Sequence, residues 1–154
     1  MAKRQNNTKK IVKVRKRDNS QDGRKAHNDS ISIKVGRIRQ NSWANEKLKA
    51  ADIFIDETEL VHILKRHGRE LETINFSPIS FVIFVIENFN EVYSTTEADC
   101  YRIVVKQQKT SGFAIITLSF DGTQYKVKTA APIKTKQLLN NKNLLCAKDH
   151  KRNI

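Results

Sequence analysis

Positive charge is distributed unevenly along this 154-residue chain, and its distribution limits where a folded core can form. Residues 1–40 contain 13 Lys or Arg and three Asp, whereas the rest of the chain contains 16 basic and 13 acidic residues. A segment this charged and this poor in large apolar residues cannot bury enough surface to offset its conformational entropy. We therefore predict a flexible basic arm over residues 1–40, one folded domain over residues 41–148 and a short tail over residues 149–154.

The net charge of +13 also indicates the class of partner. A dense polycation attracts polyanions, which are nucleic acids first and anionic membranes second. A membrane-binding amphipathic helix needs Leu, Phe or Trp on one face, and residues 1–30 contain none of these. The longest apolar run, Ile79 to Ile86, is broken only by Ser80 and is far shorter than the roughly 20 residues that span a bilayer. We therefore favour nucleic acid and expect no membrane association, with a solvated tail that only aids solubility as the alternative.

Metal and cofactor chemistry has no motif in this sequence. The two cysteines, Cys100 and Cys146, belong to no cluster with the spacing of a zinc or redox site. No HExxH, EF-hand, P-loop or GxGxxG pattern occurs. We therefore expect no metal, no cofactor and two free thiols in a reducing cytosol.

Two helices are predicted in the middle of the chain. Asp56 and Glu59 have the spacing of a capping box, and Gly68 is a natural stop, so the first helix should run from about residue 57 to 67. Ser77 followed by Pro78 is a helix-start signal for a second, buried helix that extends to Asn90. The β-branched and aromatic residues of this second segment would also suit a strand, but its length and its apolar spacing favour the helix.

The rest of the domain has the alternating pattern of strands. Asp121-Gly122 is a hairpin turn, Pro132 ends the strand that follows it, and Thr135 is expected to begin a last short helix that reaches Leu145. Strands are predicted at residues 31–35, 91–95, 101–106, 113–120 and 125–129. Helices followed by an antiparallel meander indicate an α+β fold, with two N-terminal helices packed on a four-stranded antiparallel sheet.

The candidate site lies in the first helix, where two histidines and three further cations fall within eight residues: His62, Lys65, Arg66, His67 and Arg69. RNA can be cut without a metal when a base takes the proton of the 2′-hydroxyl, an acid gives a proton to the leaving 5′-oxygen and cations hold the phosphate. Histidine has a reference pKa of about 6.5 and can be the base or the acid, while Lys and Arg bind phosphate. The strand around Thr129 can supply a second half of such a site, although alternation prevents Thr129 and its neighbouring lysines from sharing one face.

The same residues also have a structural explanation. His67 could be a core histidine whose nitrogens bond the backbone, and Thr129 is a common strand residue. Basic residues near the C-terminus of a helix interact favourably with its dipole whatever the function.

The stretch from Asp52 to Gly68, DIFIDETELVHILKRHG, resembles the opening of a phage-associated nuclease family of the barnase–EndoU–colicin–RelE-like superfamily. The resemblance rests on a HIxxRHG-type helix, an apolar second helix (FVIFVIENFNEVY) and a strand of the type YxVxTAxP at residues 125–132. It covers about residues 50–145. It implies two helices on a four-stranded antiparallel sheet that carries the cleft. It also implies that His67 is the leading catalytic residue, with Arg66 and His62 in support and Thr129 as a phosphate contact.

We therefore predict a metal-independent endoribonuclease of toxin type that cleaves RNA by 2′-O transphosphorylation, in the host cytoplasm or in a phage virion. Its partners would be RNA and an immunity protein or antitoxin. Further contacts with nucleic acid are assigned to Lys65, Arg69, Lys106, Lys126 and Lys128. One alternative is a non-catalytic nucleic-acid-binding phage structural or packaging protein that uses residues 1–40. Another is a protein-interaction module that exposes the apolar helix at residues 79–89.

Overall fold

A computed structural model describes residues 11–13, 31–107, 110–134 and 142–148. Three strands come first, β1 (Ile11–Lys13), β2 (Ile31–Ile38) and β3 (Ala51–Asp56), with a 3-10 helix at Trp43–Glu46. Two helices follow, α1 (Glu57–Thr73) and α2 (Pro78–Asn88). The remaining strands are β4 (Glu91–Ser94), β5 (Cys100–Val105), β6 (Gly112–Leu118), β7 (Gln124–Pro132) and β8 (Leu144–Ala147).

The strands form one mixed sheet in the order β1-β2-β3-β7-β6-β5-β4-β8. β3 and β7 pair in parallel, and all other neighbours are antiparallel. The predicted four-stranded sheet behind two N-terminal helices is therefore wrong, because three strands precede the helices and the sheet is both larger and mixed. The residues of β3 alternate between buried and partly exposed positions, but this strand was not among those predicted.

Helix α2 forms the centre of the core, and its prediction from Ser77-Pro78 is confirmed. The Ser80 N–H donates to Ser77 Oγ at 3.1 Å, and the Ser77 N–H donates to Ser80 Oγ at 2.9 Å. Phe81, Val82 and Val85 are fully buried, and full burial of each such side chain contributes about 1.5–3 kcal/mol. The apolar helix is thus covered on this face by β2, β5 and β6.

Helix α1 runs through the predicted stop at Gly68 and ends six residues after the predicted boundary, at Thr73. Asn75, which has a φ of 62°, terminates it instead. The Phe76 N–H donates to the Leu71 carbonyl at 2.9 Å and the Asn75 N–H to the Glu72 carbonyl at 3.0 Å, which is the Schellman pattern. Leu71 is buried in the core, and its burial offsets the cost of about 1 kcal/mol of a glycine inside a helix.

The predicted capping box of α1 is also wrong. Asp56 occupies the N-cap position, but its side chain makes no capping hydrogen bond. Its carboxylate accepts from Ser32 Oγ at 2.9 Å and from Lys126 Nζ at 3.1 and 3.2 Å. Asp56 therefore joins β3 to β2 and β7, its two neighbours in the sheet.

The predicted last helix does not reach Leu145, because Leu144–Ala147 is the edge strand β8, which pairs with β4. Residues 135–141, the first part of that prediction, lie outside the described residues. A bulge in β7 leaves Lys128 without a partner in β6, since Val127 pairs with Ile116 and Thr129 with Ile115. Because of the bulge, Val127 and Ala130 both face the helices, and the strict alternation that we expected does not hold.

Candidate nucleic-acid interface

Four of the predicted site residues form a basic stripe on α1, consisting of His62, Lys65, Arg66 and Arg69. They are spaced i, i+3, i+4 and i+7, so they share one face of the helix, and all four are exposed. Lys65, Arg66 and Arg69 form no ion pair within the described residues. His62 lies near a carboxylate, with 3.7 Å between His62 Nδ1 and Glu59 Oε1.

His67 lies on a different side of α1 from His62, because five residues correspond to about 140° beyond a full turn. Its side chain is 28% exposed, and its Nδ1 lies 2.7 Å from Glu70 Oε1. Since α1 continues to Thr73, His67 and the basic stripe belong to the interior of the helix and not to its last turn. The helix dipole therefore does not explain these cations.

The strand-borne half of the predicted site lies on the other face of the sheet. Ala130 packs in the core beneath the helices, so its neighbour Thr129 faces away from them. Helix α1 packs on the opposite face of β7 from Thr129, so the sheet separates Thr129 from His67. Lys126 bonds to Asp56, whereas Lys128 is exposed at the bulge. The structure does not bring the helix-borne and strand-borne residues together.

A second basic surface surrounds the C-terminal end of α2. It is an open groove of about 840 Å³ between β2, the 3-10 helix and the ends of β5 and β8. Trp43 and Phe89 provide aromatic surface, and Glu87 is its only lining carboxylate among the described residues. We call it the cationic groove, and its basic residues are Lys34, Arg37, Arg39, Lys106 and Lys148.

The cations of the groove differ in how strongly the protein already neutralises them. Lys34 Nζ lies 3.3 Å and Arg37 Nε 3.7 Å from the same oxygen, Asp52 Oδ1. Arg39 and Lys148 have no ion pair in the part of the chain that the structure describes. The backbone of Lys148 is fixed, because its N–H donates to the Asn90 carbonyl at 2.8 Å. Arg39 and Lys148 are therefore the residues most available to an anionic ligand.

Lys106 is held at the groove by a half-buried polar cluster. Its Nζ lies 2.9 Å from Glu91 Oε2, and the Tyr93 hydroxyl donates to Glu91 Oε1 at 2.7 Å. The guanidinium carbon of Arg102 lies 4.9 Å from the centre of the Tyr93 ring, a cation–π distance. Burial, followed by the hydrogen bond to Glu91 and its charge, raises the pKa of Tyr93 to about 12. Tyr93 therefore stays protonated at neutral pH and keeps donating to Glu91.

A smaller depression of about 410 Å³ adjoins the groove and shares Arg37, Arg39 and Ser42 with it. The two concavities thus form one continuous basic surface along the end of β2 and the loop that follows. Sequence reasoning identified Lys106 as a candidate but missed the groove. Lys34, Arg37 and Arg39 were counted only in the charge of residues 1–40, and Trp43 was not a predicted site residue.

Comparisons with known proteins add no assignment, since no family model, no curated protein and no solved structure matches the chain. Within the described ranges there is no helix long and apolar enough to cross a membrane. Within the same residues, no group of three or more His, Cys, Asp or Glu could hold a metal ion.

Proposed function

We propose that this protein binds nucleic acid in the cationic groove. The observation that carries the proposal is the composition of its wall, where five cations and two aromatic rings accompany one carboxylate and two of the cations, Arg39 and Lys148, form no ion pair within the described residues. A concave surface lined by one sign of charge focuses the field and raises the local concentration of a polyanion. Arg can hold a phosphate with two parallel hydrogen bonds, so Arg39 is the strongest single phosphate contact on this wall.

The shape of the surface favours a polymer over a small anion. The groove and its neighbouring depression share Arg37 and Arg39, so successive phosphates of one backbone can occupy both. The ion pairs of Lys34 and Arg37 with Asp52 leave these side chains partly exposed, and surface pairs of this kind contribute only about 0–1 kcal/mol. A phosphate can therefore compete with Asp52 for both cations.

A binding assay with a charge-matched control tests the proposal. The probe is a fluorescently labelled DNA single strand of about 12 nucleotides, which lacks the 2′-hydroxyl that transphosphorylation needs. The double variant Arg39→Ala/Lys148→Ala should bind about tenfold more weakly and should reduce the slope of log affinity against log salt by about 1.4, because each phosphate contact with a single strand contributes about 0.7. The control, Lys47→Ala/Lys49→Ala, removes the same charge at two exposed positions outside both concavities.

Equal losses in the two variants would contradict the groove as the site, because they would show that only net charge matters. Absence of any salt-dependent binding by the wild-type protein would contradict the proposed function itself. Thermal unfolding of each variant checks that the fold is intact.

A second proposed function, metal-independent ribonuclease activity, is supported by one contact. Glu70 Oε1 lies 2.7 Å from His67 Nδ1, so it can orient the imidazole and leave Nε2 for proton transfer. In the step that we propose, the 2′-oxygen of RNA loses its proton and attacks the phosphorus. The bond to the 5′-oxygen breaks, that oxygen takes up a proton, and a 2′,3′-cyclic phosphate remains.

The test is cleavage of total RNA in EDTA by the wild-type protein and by His67→Ala. We expect cyclic-phosphate ends with the wild type and their loss in His67→Ala, with binding of the DNA probe unchanged. Glu70→Gln should lower the rate by a smaller factor, because it weakens the orientation of the ring without removing it. Undiminished cleavage by purified His67→Ala would overturn this second proposal.

A further inference from the structure

Trp43 is the one tryptophan of the chain, and it lines the cationic groove. It opens the 3-10 helix and remains partly exposed, although the next residue, Ala44, is completely buried. Its ring packs against Phe89 with 5.4 Å between the ring centres and 49° between the planes. Trp43 therefore combines a supported ring with a surface that is open to the groove.

The short segment that carries Trp43 is anchored by backbone hydrogen bonds and by two buried residues. The Leu48 N–H donates to the Ala44 carbonyl at 2.9 Å, and Leu48 is itself buried in the core. The Asn45 N–H donates to the Ser42 carbonyl at 3.0 Å. Because Ala44 and Leu48 anchor the turn, the Trp43 ring needs little reorganisation to meet a ligand.

The neighbours of Trp43 define the ligand by its chemistry. Arg39 and Lys148 have no ion pair within the described residues and line the same groove as the ring, so they can hold a phosphate there. A phosphate contact next to an aromatic face matches a nucleotide whose base is free to stack. In a duplex the base faces are already stacked on one another, so only an unpaired base can meet Trp43.

We infer that Trp43 is a stacking platform for an unpaired base and that the cationic groove therefore takes single-stranded nucleic acid in preference to duplex. The inference rests on the proposed nucleic-acid binding, but it concerns the ring and not the charges. Base–aromatic stacking corresponds to a preference of about tenfold for one stacked base. A Trp43 that only fills space beside Phe89 would give no such preference.

The experiment uses the full chain with a DNA strand of about 12 nucleotides, alone and as a duplex with its complement. Because the chain has a single tryptophan, its fluorescence reports on the groove directly. We expect the single strand to bind about tenfold more tightly than the duplex and to quench the emission, whereas the duplex leaves it unchanged. Trp43→Leu should lose the preference while retaining salt-dependent binding, and Trp43→Phe should keep part of it.

Two results overturn the inference in distinguishable ways. Equal affinity for single strand and duplex, or unchanged emission at saturation, removes the stacking role and leaves the proposed function intact. Absence of binding to either DNA removes both. Unfolding midpoints of the two variants show whether a lost preference comes from lost packing against Phe89, because a packing effect would weaken binding of both DNA forms equally.

Discussion

The basic stripe of α1 and the cationic groove are both positively charged, but they differ in shape and in how they are assembled. The stripe is a convex surface whose four members lie on successive turns of one helix. The groove is concave, and its members come from β2, the 3-10 helix, the C-terminal end of α2 and the residues that follow β5 and β8. On a convex surface, salt and water screen each charge separately, whereas a cleft concentrates the field of several charges.

A cationic motif within one helix is easy to recognise in a sequence, but this does not make it the stronger candidate for binding nucleic acid. The stripe is visible in the sequence because its members are close neighbours along the chain. The groove depends on pairings between distant strands, and it also has the two aromatic rings that the stripe lacks. The predictions below compare these two surfaces directly.

The largest expected difference is in the free energy of unfolding, when a glycine beside each surface is replaced by alanine. A Cβ at Gly36 would lie 2.6 Å from Ile86 Cγ2, at the contact between β2 and α2 that forms the wall of the groove. Gly36→Ala should lower the free energy of unfolding by about 1–3 kcal/mol and weaken DNA binding. Denaturant titration and the labelled DNA strand measure both effects.

Gly68→Ala, within α1, is the matched control. Its Cβ would lie 3.1 Å from Leu64 Cδ1, but the Leu64 side chain is 56% exposed and can move aside. Removing a glycine from a helix interior should raise the free energy of unfolding by up to about 1 kcal/mol. A larger loss of stability in Gly68→Ala than in Gly36→Ala would contradict the packing described at both positions.

Removing the carboxylate that pairs with Lys34 and Arg37 should increase the affinity of the groove for DNA. Asp52→Asn frees both cations, so we expect about three- to tenfold tighter DNA binding and a steeper salt dependence. Glu72→Gln, at an exposed position near the end of α1, changes the net charge equally. If both variants tighten binding by the same factor, the local release of cations has no role.

Removing two cations from the stripe should have a smaller effect than removing two from the groove. We expect Lys65→Ala/Arg69→Ala to weaken binding of the DNA strand by less than about threefold, because the charges of a convex surface act separately, whereas those of a cleft act together on one ligand. Affinities measured between about 50 and about 200 mM salt give the comparison. A loss larger than that of Arg39→Ala/Lys148→Ala would place the main binding surface on α1.

The smallest expected effect is a change in tyrosine ionisation near the groove. Burial raises the pKa of all three tyrosines above the usual 10.0, and that of Tyr93 to about 12. Between pH 10.0 and about 12 the unfolded chain loses the Tyr93 proton first, so stability should fall as pH rises through this window. Ultraviolet absorbance of tyrosinate in wild type and Tyr93→Phe measures the shift, and ionisation of Tyr93 at its ordinary pKa would contradict its burial.

Local signals account for what the sequence predicted correctly. The start of α2 depends on Ser77 and Pro78 alone, and its burial follows from six consecutive apolar residues, so both were predictable. The end of α1 was not, because burial of Leu71 outweighs the helix-breaking tendency of Gly68. The role of Asp56 depends on Lys126, a residue 70 positions away, which no local pattern reveals.

The candidate site residues also fall into two groups, those that local periodicity places and those that long-range strand pairing places. The members of the stripe are four residues of one helix, so their common face follows from helical periodicity alone. The position of Thr129 depends on the bulge at Lys128, and the pairing of Lys106 with Glu91 depends on the register between β4 and β5. Both depend on long-range pairings between strands, and neither composition nor spacing determines such pairings.

The parallel pairing of β3 with β7 has a consequence for when the groove can form during synthesis of the chain. The β2 wall joins the rest of the sheet only through β3, whose other neighbour in the sheet begins at Gln124. The opposite wall includes Lys148, after the last described strand. A growing chain therefore displays the basic stripe of α1 long before both walls of the groove exist. The binding surface that we propose is completed last in synthesis, when nearly all of the folded domain has been made.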